Sequence, residues 1–105
     1  MRLKDRADPT AENAEKFVLR LYIAGTTVQS RQAINNLKQI CETHLQGHYD
    51  LEVVDIFENP KLAEGDRIIA VPTLIKRLPE PVRRVVGDLS ERDKVLVGLD
   101  IMPLE

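Results

Sequence analysis

The 105-residue chain has no tryptophan, only two tyrosines and two phenylalanines, and a single cysteine. One cysteine excludes an intramolecular disulfide framework and fits a reducing compartment, so a cytoplasmic protein is expected. No run approaches the ~20 apolar residues that a membrane-spanning helix needs, and the opening MRLKDRADPTAENAEK has no apolar signal core. Charge of one sign is not in excess: 15 basic against 17 acidic residues leave a net charge of -2, which argues against a global field for nucleic acid or an anionic membrane. No glycine-rich phosphate loop is present, and no Ser/His/Asp or paired-carboxylate arrangement stands above chance. The expectation is a protein with no cofactor and no catalytic residues. What remains, 43% hydrophobic and 30% charged residues, describes one soluble globular domain with a modest core.

Residues 1 to 16 are charged or small and read as a flexible arm, leaving residues 17 to 105 as a single domain. The apolar run from Phe17 to Ala24 suits a central strand buried on both faces, and Gly25 ends it. Thr26 and Thr27 can cap a helix whose apolar face is Ala33, Ile34, Leu37, Ile40, Cys41, His44 and Leu45, with Gly47 as its stop. Leu51 to Phe57 reads as a second strand, parallel to the first. Asn59-Pro60 opens a short helical turn over Lys61 to Glu64. Thr73 to Leu78 and Val82 to Val86 read as a hairpin around Pro79-Glu80-Pro81. A last helix is expected from Glu91 to about Ile101, with Ser90 and Asp93 as a weak capping box. It is poorly encoded: Val95-Leu96-Val97 favours strand, and Gly98 costs about 1 kcal/mol against alanine in a helix.

The order β-α-β-α-β-β-α is thioredoxin-like, which raises a thioredoxin-like oxidoreductase as an alternative function. A dithiol enzyme needs a thiolate at the start of the first helix, and Gly25 to Ser30 contain none. Cys41 falls three turns later on the apolar face, as an inert core residue. Cys41, His44 and His48 have helical spacing but lack a fourth metal ligand, and Gly47 breaks the helix before His48, so no metal is expected. Val71-Pro72 precedes a strand, where cis and trans are evenly matched. Lys76, Arg77, Arg83 and Arg84 gather on the hairpin opposed only by Glu80. They form either a solvated surface or a docking site for an acidic protein face.

Several stretches together resemble the KaiB family of clock proteins. They are Leu19 to Gly25, Asn59-Pro60-Lys61-Leu62-Ala63-Glu64, Val71-Pro72-Thr73-Leu74, Pro81 to Ser90, and Lys94-Val95-Leu96-Val97-Gly98-Leu99-Asp100, in the family's order over residues 17 to 101. The resemblance implies a non-enzymatic regulator. It would bind the N-terminal ATPase ring of the hexameric kinase KaiC and modulate its phosphorylation, with KaiA or a clock-output sensor kinase as further partners. It also implies two folds: a thioredoxin-like β-α-β-α-β-β-α binding-competent monomer, and a β-α-β-β-α-α-β ground state, expected when free, as a homotetramer or dimer. Arg67, where the family usually has lysine, is assigned to KaiC contact, and Arg83 and Arg84, the family's Arg-Arg pair, to partner contact. Pro72, Val97, Gly98 and Asp100 are assigned to the fold switch. Exchanging Gly98 for alanine and Asp100 for arginine is expected to favour the thioredoxin-like state. The chain departs from the family pattern where Gln32 precedes Ala33-Ile34, the arginine being Arg31, and in having no acidic C-terminal tail. These departures bear on KaiA, and they allow an adaptor role in a KaiA-less KaiB–KaiC timing or stress system.

Overall fold

The apolar run that opens the domain is β1 (Phe17–Ile23) in the computed structural model, which describes residues 16–101. The expected N-terminal arm lies outside the described residues except for Lys16, which pairs with Asp50 at 3.1 Å. After β1 come α1 (Val28–His44), β2 (Tyr49–Asp55), α2 (Pro60–Gly65), β3 (Thr73–Leu78), β4 (Arg83–Val86) and α3 (Arg92–Gly98). Of the two arrangements implied by the resemblance, this is the thioredoxin-like one; the β-α-β-β-α-α-β order expected of the free chain is not the one described here.

Local chemistry explains the joints. Thr27 is the N-cap of α1, its hydroxyl oxygen accepting the Ser30 N–H at 3.1 Å. The helix ends at His44, before the expected stop at Gly47, which sits at φ 76 in the turn beyond. β2 lies two residues earlier than the apolar pattern suggested. Asp55 ends it, because its Oδ1 accepts the N–H of Phe57 at 2.9 Å and of Gly25 at 3.3 Å and turns the chain out of the sheet. α3 is shorter than expected and is capped differently. Glu91, not Ser90, is the N-cap and makes no side-chain cap bond, while the Ser90 N–H donates to Asp88 Oδ1 at 3.1 Å.

The sheet order is β2-β1-β3-β4, with β1 parallel to β2 and antiparallel to β3, and β3 antiparallel to β4. Alternation along β1 sends its side chains to two cores. Leu19, Leu21 and Ile23 join Leu74 against the apolar faces of α1 and α3, through Ala33, Leu37, Ile40, Cys41, Val95 and Leu96. Tyr22, Val54 and Ile75 form a smaller core on the other face, where Ala63 of α2 and the flanking Ile56, Ile68 and Val71 pack. The sheet is thus sandwiched, thickly on one side and thinly on the other.

Candidate functional site

The thin side carries the first candidate residue. α2 has no buried residue and no side-chain bond at its Asn59 N-cap, so its sequence alone encodes it weakly. Its C-terminal end is better defined. The Arg67 N–H donates to the Glu64 carbonyl at 3.0 Å and the Ile68 N–H to the Ala63 carbonyl at 2.9 Å. Those are the two bonds of a Schellman cap, and Ala63 and Ile68, the apolar pair that accompanies it, share the smaller core. The motif requires a left-handed residue after the cap, a place usually held by glycine. Here it is Arg67, at φ 55 with its side chain exposed.

Asp66, just before it, is the C-cap and is tied into the sheet. Its Oδ2 accepts from Arg77 Nη2, from the Tyr22 hydroxyl, and from Arg20 Nη1 at 3.1 Å. Arg20 Nε donates to Glu52 Oε1 at 2.9 Å, so β1, β2 and β3 all hold the end of α2. The single Tyr22 phenolic proton has two acceptors in reach, Asp66 Oδ2 and the Leu62 carbonyl at 3.0 Å, which also accepts the Asp66 N–H, so the hydroxyl sits between the carboxylate and the last turn of α2. Burial alone would raise the Asp66 carboxyl. The hydrogen bonds from Arg77 and Tyr22 outweigh it and hold the group below the ordinary carboxylate range. Burial and the bond to Asp66 push the Tyr22 phenol the other way, above its usual value. Sequence reasoning missed this network, since Arg20 and Tyr22 lie 46 and 44 residues from Asp66 and nothing local signals the pairing.

The four hairpin cations do not form one patch, a correction to the sequence reading. Lys76 points with Leu74 toward the larger core and is 1% exposed, while Arg77 is taken up by Asp66. Arg83 and Arg84 are exposed on the outer strand. They pair across β3 with Lys76 and Ile75, so adjacent arginines face opposite sides of the sheet. Arg84 is on the α2 side with Arg67; Arg83 is on the α1–α3 side.

The residues assigned to switching are spread over two sites. The Val71–Pro72 bond is cis, and the Pro72 carbonyl accepts the Gly87 N–H at 2.9 Å beside the hairpin. Val97, Gly98 and Asp100 lie at the end of α3, which repeats the cap of α2. The Asp100 N–H donates to the Val97 carbonyl at 3.1 Å and the Ile101 N–H to the Leu96 carbonyl at 2.9 Å, with Asp100 left-handed at φ 59. Leu96 and Ile101 are buried, whereas Val97 is 80% exposed. A Cβ added at Gly98 would lie 2.8 Å from Val85 Cγ2, so alanine there requires the valine to move.

The redox and metal alternatives find little support in the geometry. Cys41 has no exposed surface, and burial pushes its thiol up to about 12, away from the thiolate that catalysis needs. Thr27 and Val28 occupy the start of α1. His44 is buried, while His48 lies beyond the helix and exposed, so Cys41, His44 and His48 do not share a helical face. No metal-holding group of histidine, cysteine and carboxylate side chains occurs among the described residues, and no helix among them is long and apolar enough to cross a membrane.

Comparison with known proteins places these features. The family model for the KaiB domain matches residues 20–101. The chain is 53% identical over 91 residues to the circadian clock oscillator protein KaiB of Prochlorococcus marinus strain NATL2A, covering 86% of this chain and 85% of that protein. Among solved structures it is similar to the N-terminal domain of SasA from Synechococcus elongatus, with TM-score 0.68 and 23% identity over 91% of this chain and 93% of that one. It is also similar in fold to chloroplastic thioredoxin z, with TM-score 0.63 and 19% identity over 82% and 80% of the two chains.

Proposed function

The chain belongs to the KaiB family, and from that premise we propose that it is a non-enzymatic, cytoplasmic clock-type regulator that binds the N-terminal ATPase ring of KaiC and modulates its phosphorylation. The observation that carries this reading is Arg67. A non-glycine residue in the left-handed region costs about 1 kcal/mol. The Arg67 N–H bonds the Glu64 carbonyl within the cap, but its side chain is exposed and makes no hydrogen bond or ion pair within the described residues. An exposed cation whose backbone is set by the cap and whose side chain has no partner within the fold suits an acidic surface outside it, here one of the ring. Arg84 lies on the same side of the sheet and serves as a second contact; Arg83, on the other side, faces a different part of the partner.

The C-terminal half is the part that rearranges, with Pro72, Val97, Gly98 and Asp100 setting the balance against a ground state that associates as a homotetramer or dimer. Supporting this, α3 is seven residues long and uncapped by any side chain at its N-terminus, and it is held by burial of Val95, Leu96, Leu99 and Ile101 more than by its own propensity, so a rival packing that buries the same side chains competes with it. A binding-competent population of 1% would weaken apparent affinity about a hundredfold. The test is size-exclusion chromatography of the full chain with its cognate KaiC and ATP, followed over hours. A slow shift to a large complex is expected, lost on Arg67→Glu. Absence of the complex, or its survival in the charge-reversed variant, counts against the reading.

A further inference from the structure

We infer that Asp66 is a positioning residue for Arg67: by binding the last turn of α2 to β1 and β3, it sets the direction in which the left-handed arginine meets an acidic group of its partner. This role rests on the ring-binding reading above. Arg67 stands between two anchors. On one side the Asp66 carboxylate is held by Arg77, Tyr22 and Arg20; on the other, Ile68 packs against the Tyr22, Val54 and Ile75 core. Besides these, the Tyr22 hydroxyl lies 3.0 Å from the Leu62 carbonyl and Ala63 packs on the smaller core, but none of the helix's residues is buried and its N-cap side chain makes no capping bond. The dependence runs both ways. Arg77 Nε is buried without a hydrogen-bond partner, so Asp66 is the acceptor that compensates this guanidinium.

Asp66→Asn keeps the shape and removes the charge. Arg20 then keeps Glu52, Arg77 loses its carboxylate partner, and the cap is free to relax. Left-handed backbone at an arginine persists only while its surroundings over-determine it, so loss of one anchor releases residue 67 toward ordinary helical dihedrals. Loss of a half-buried ion pair that only stabilised the fold would weaken binding equally whatever residue stood at 67.

The experiment is a double-mutant cycle on the full chain, Asp66→Asn with Arg67→Ala, reading affinity for the cognate KaiC ring in ATP. NMR measurement of the three-bond HN–Hα coupling and the Cα shift of residue 67 accompanies it. Asp66→Asn is expected to weaken binding about tenfold with Arg67 present and less than about twofold with Arg67→Ala, and to shift the coupling at 67. Should Asp66→Asn fail to fold, Tyr22→Phe removes one donor to the same carboxylate. It is expected to show the same non-additivity at roughly twofold to threefold amplitude. Equal losses in both backgrounds, no loss, or an unchanged coupling at 67 overturns the positioning role alone. No binding by the unsubstituted chain overturns the ring reading, and the positioning role with it.

Discussion

At the scale of single residues, strain and charge make separable predictions. Arg67→Gly relieves the left-handed cost and retains part of it as added chain entropy. The fold should therefore gain about 0.5–1 kcal/mol while partner affinity falls. Arg67→Lys keeps both strain and charge and should change neither by much. Urea midpoints paired with binding measurements separate the two. Asp66 predicts a pH dependence. Its carboxyl titrates below the ordinary range in the fold, so the unfolded chain takes up the proton first as pH falls. The stabilisation is complete above the unfolded value of about 3.9 and disappears as pH falls through the lower folded value. Urea titrations should show a shallower acid loss in Asp66→Asn than in the unsubstituted chain. Neither residue was fully legible. Arg67 was reached through the resemblance. The local segment misleads, because Gly65, the residue that sequence rules favour for the left-handed place, is the last residue of α2, two positions too early.

Among the elements, α3 is where the prediction from sequence needs refinement. Val97→Ala removes an exposed β-branched residue, touches no core contact and should favour this helix by up to about 0.5 kcal/mol. Gly98→Ala gains about 1 kcal/mol of helix propensity, against a methyl placed 2.8 Å from Val85 Cγ2. The gain should be small alone and larger in combination with Val85→Ala, measured as the ratio of thioredoxin-like to alternative resonances by NMR. Asp100→Arg replaces an acid at the negative end of the helix with a cation, worth about 0.3–1 kcal/mol, and Arg67 shows that arginine is accommodated in the same left-handed cap. β1, the N-cap of α1 at Thr27, and β3 were legible because burial pattern and capping chemistry agreed. The limits of β2 and α3 were not. An aspartate turn ended one, and a cap built from long-range packing of Leu96 and Ile101 ended the other.

Across the whole molecule, the β-α-β-α-β-β-α order followed from the spacing of strands and helices, yet the two-sided sheet decided where function can sit. Alternation along β3 buried Lys76 and gave Arg77 to Asp66, dividing a basic cluster that looked continuous in one dimension. The same sandwich places Cys41 in its larger core, so disulfide reductase assays with insulin should show no turnover; turnover abolished by Cys41→Ser would reverse that conclusion. The position of β1 has a further consequence. Its parallel neighbour β2 is complete by Asp55, whereas its other neighbour begins at Thr73. During synthesis at about 5–20 residues per second, β1, α1 and β2 are available to one another first. The remaining chain emerges to find one flank of β1 already paired and the other still open, so nascent-chain order hands the later segments a finished template with a single vacant side.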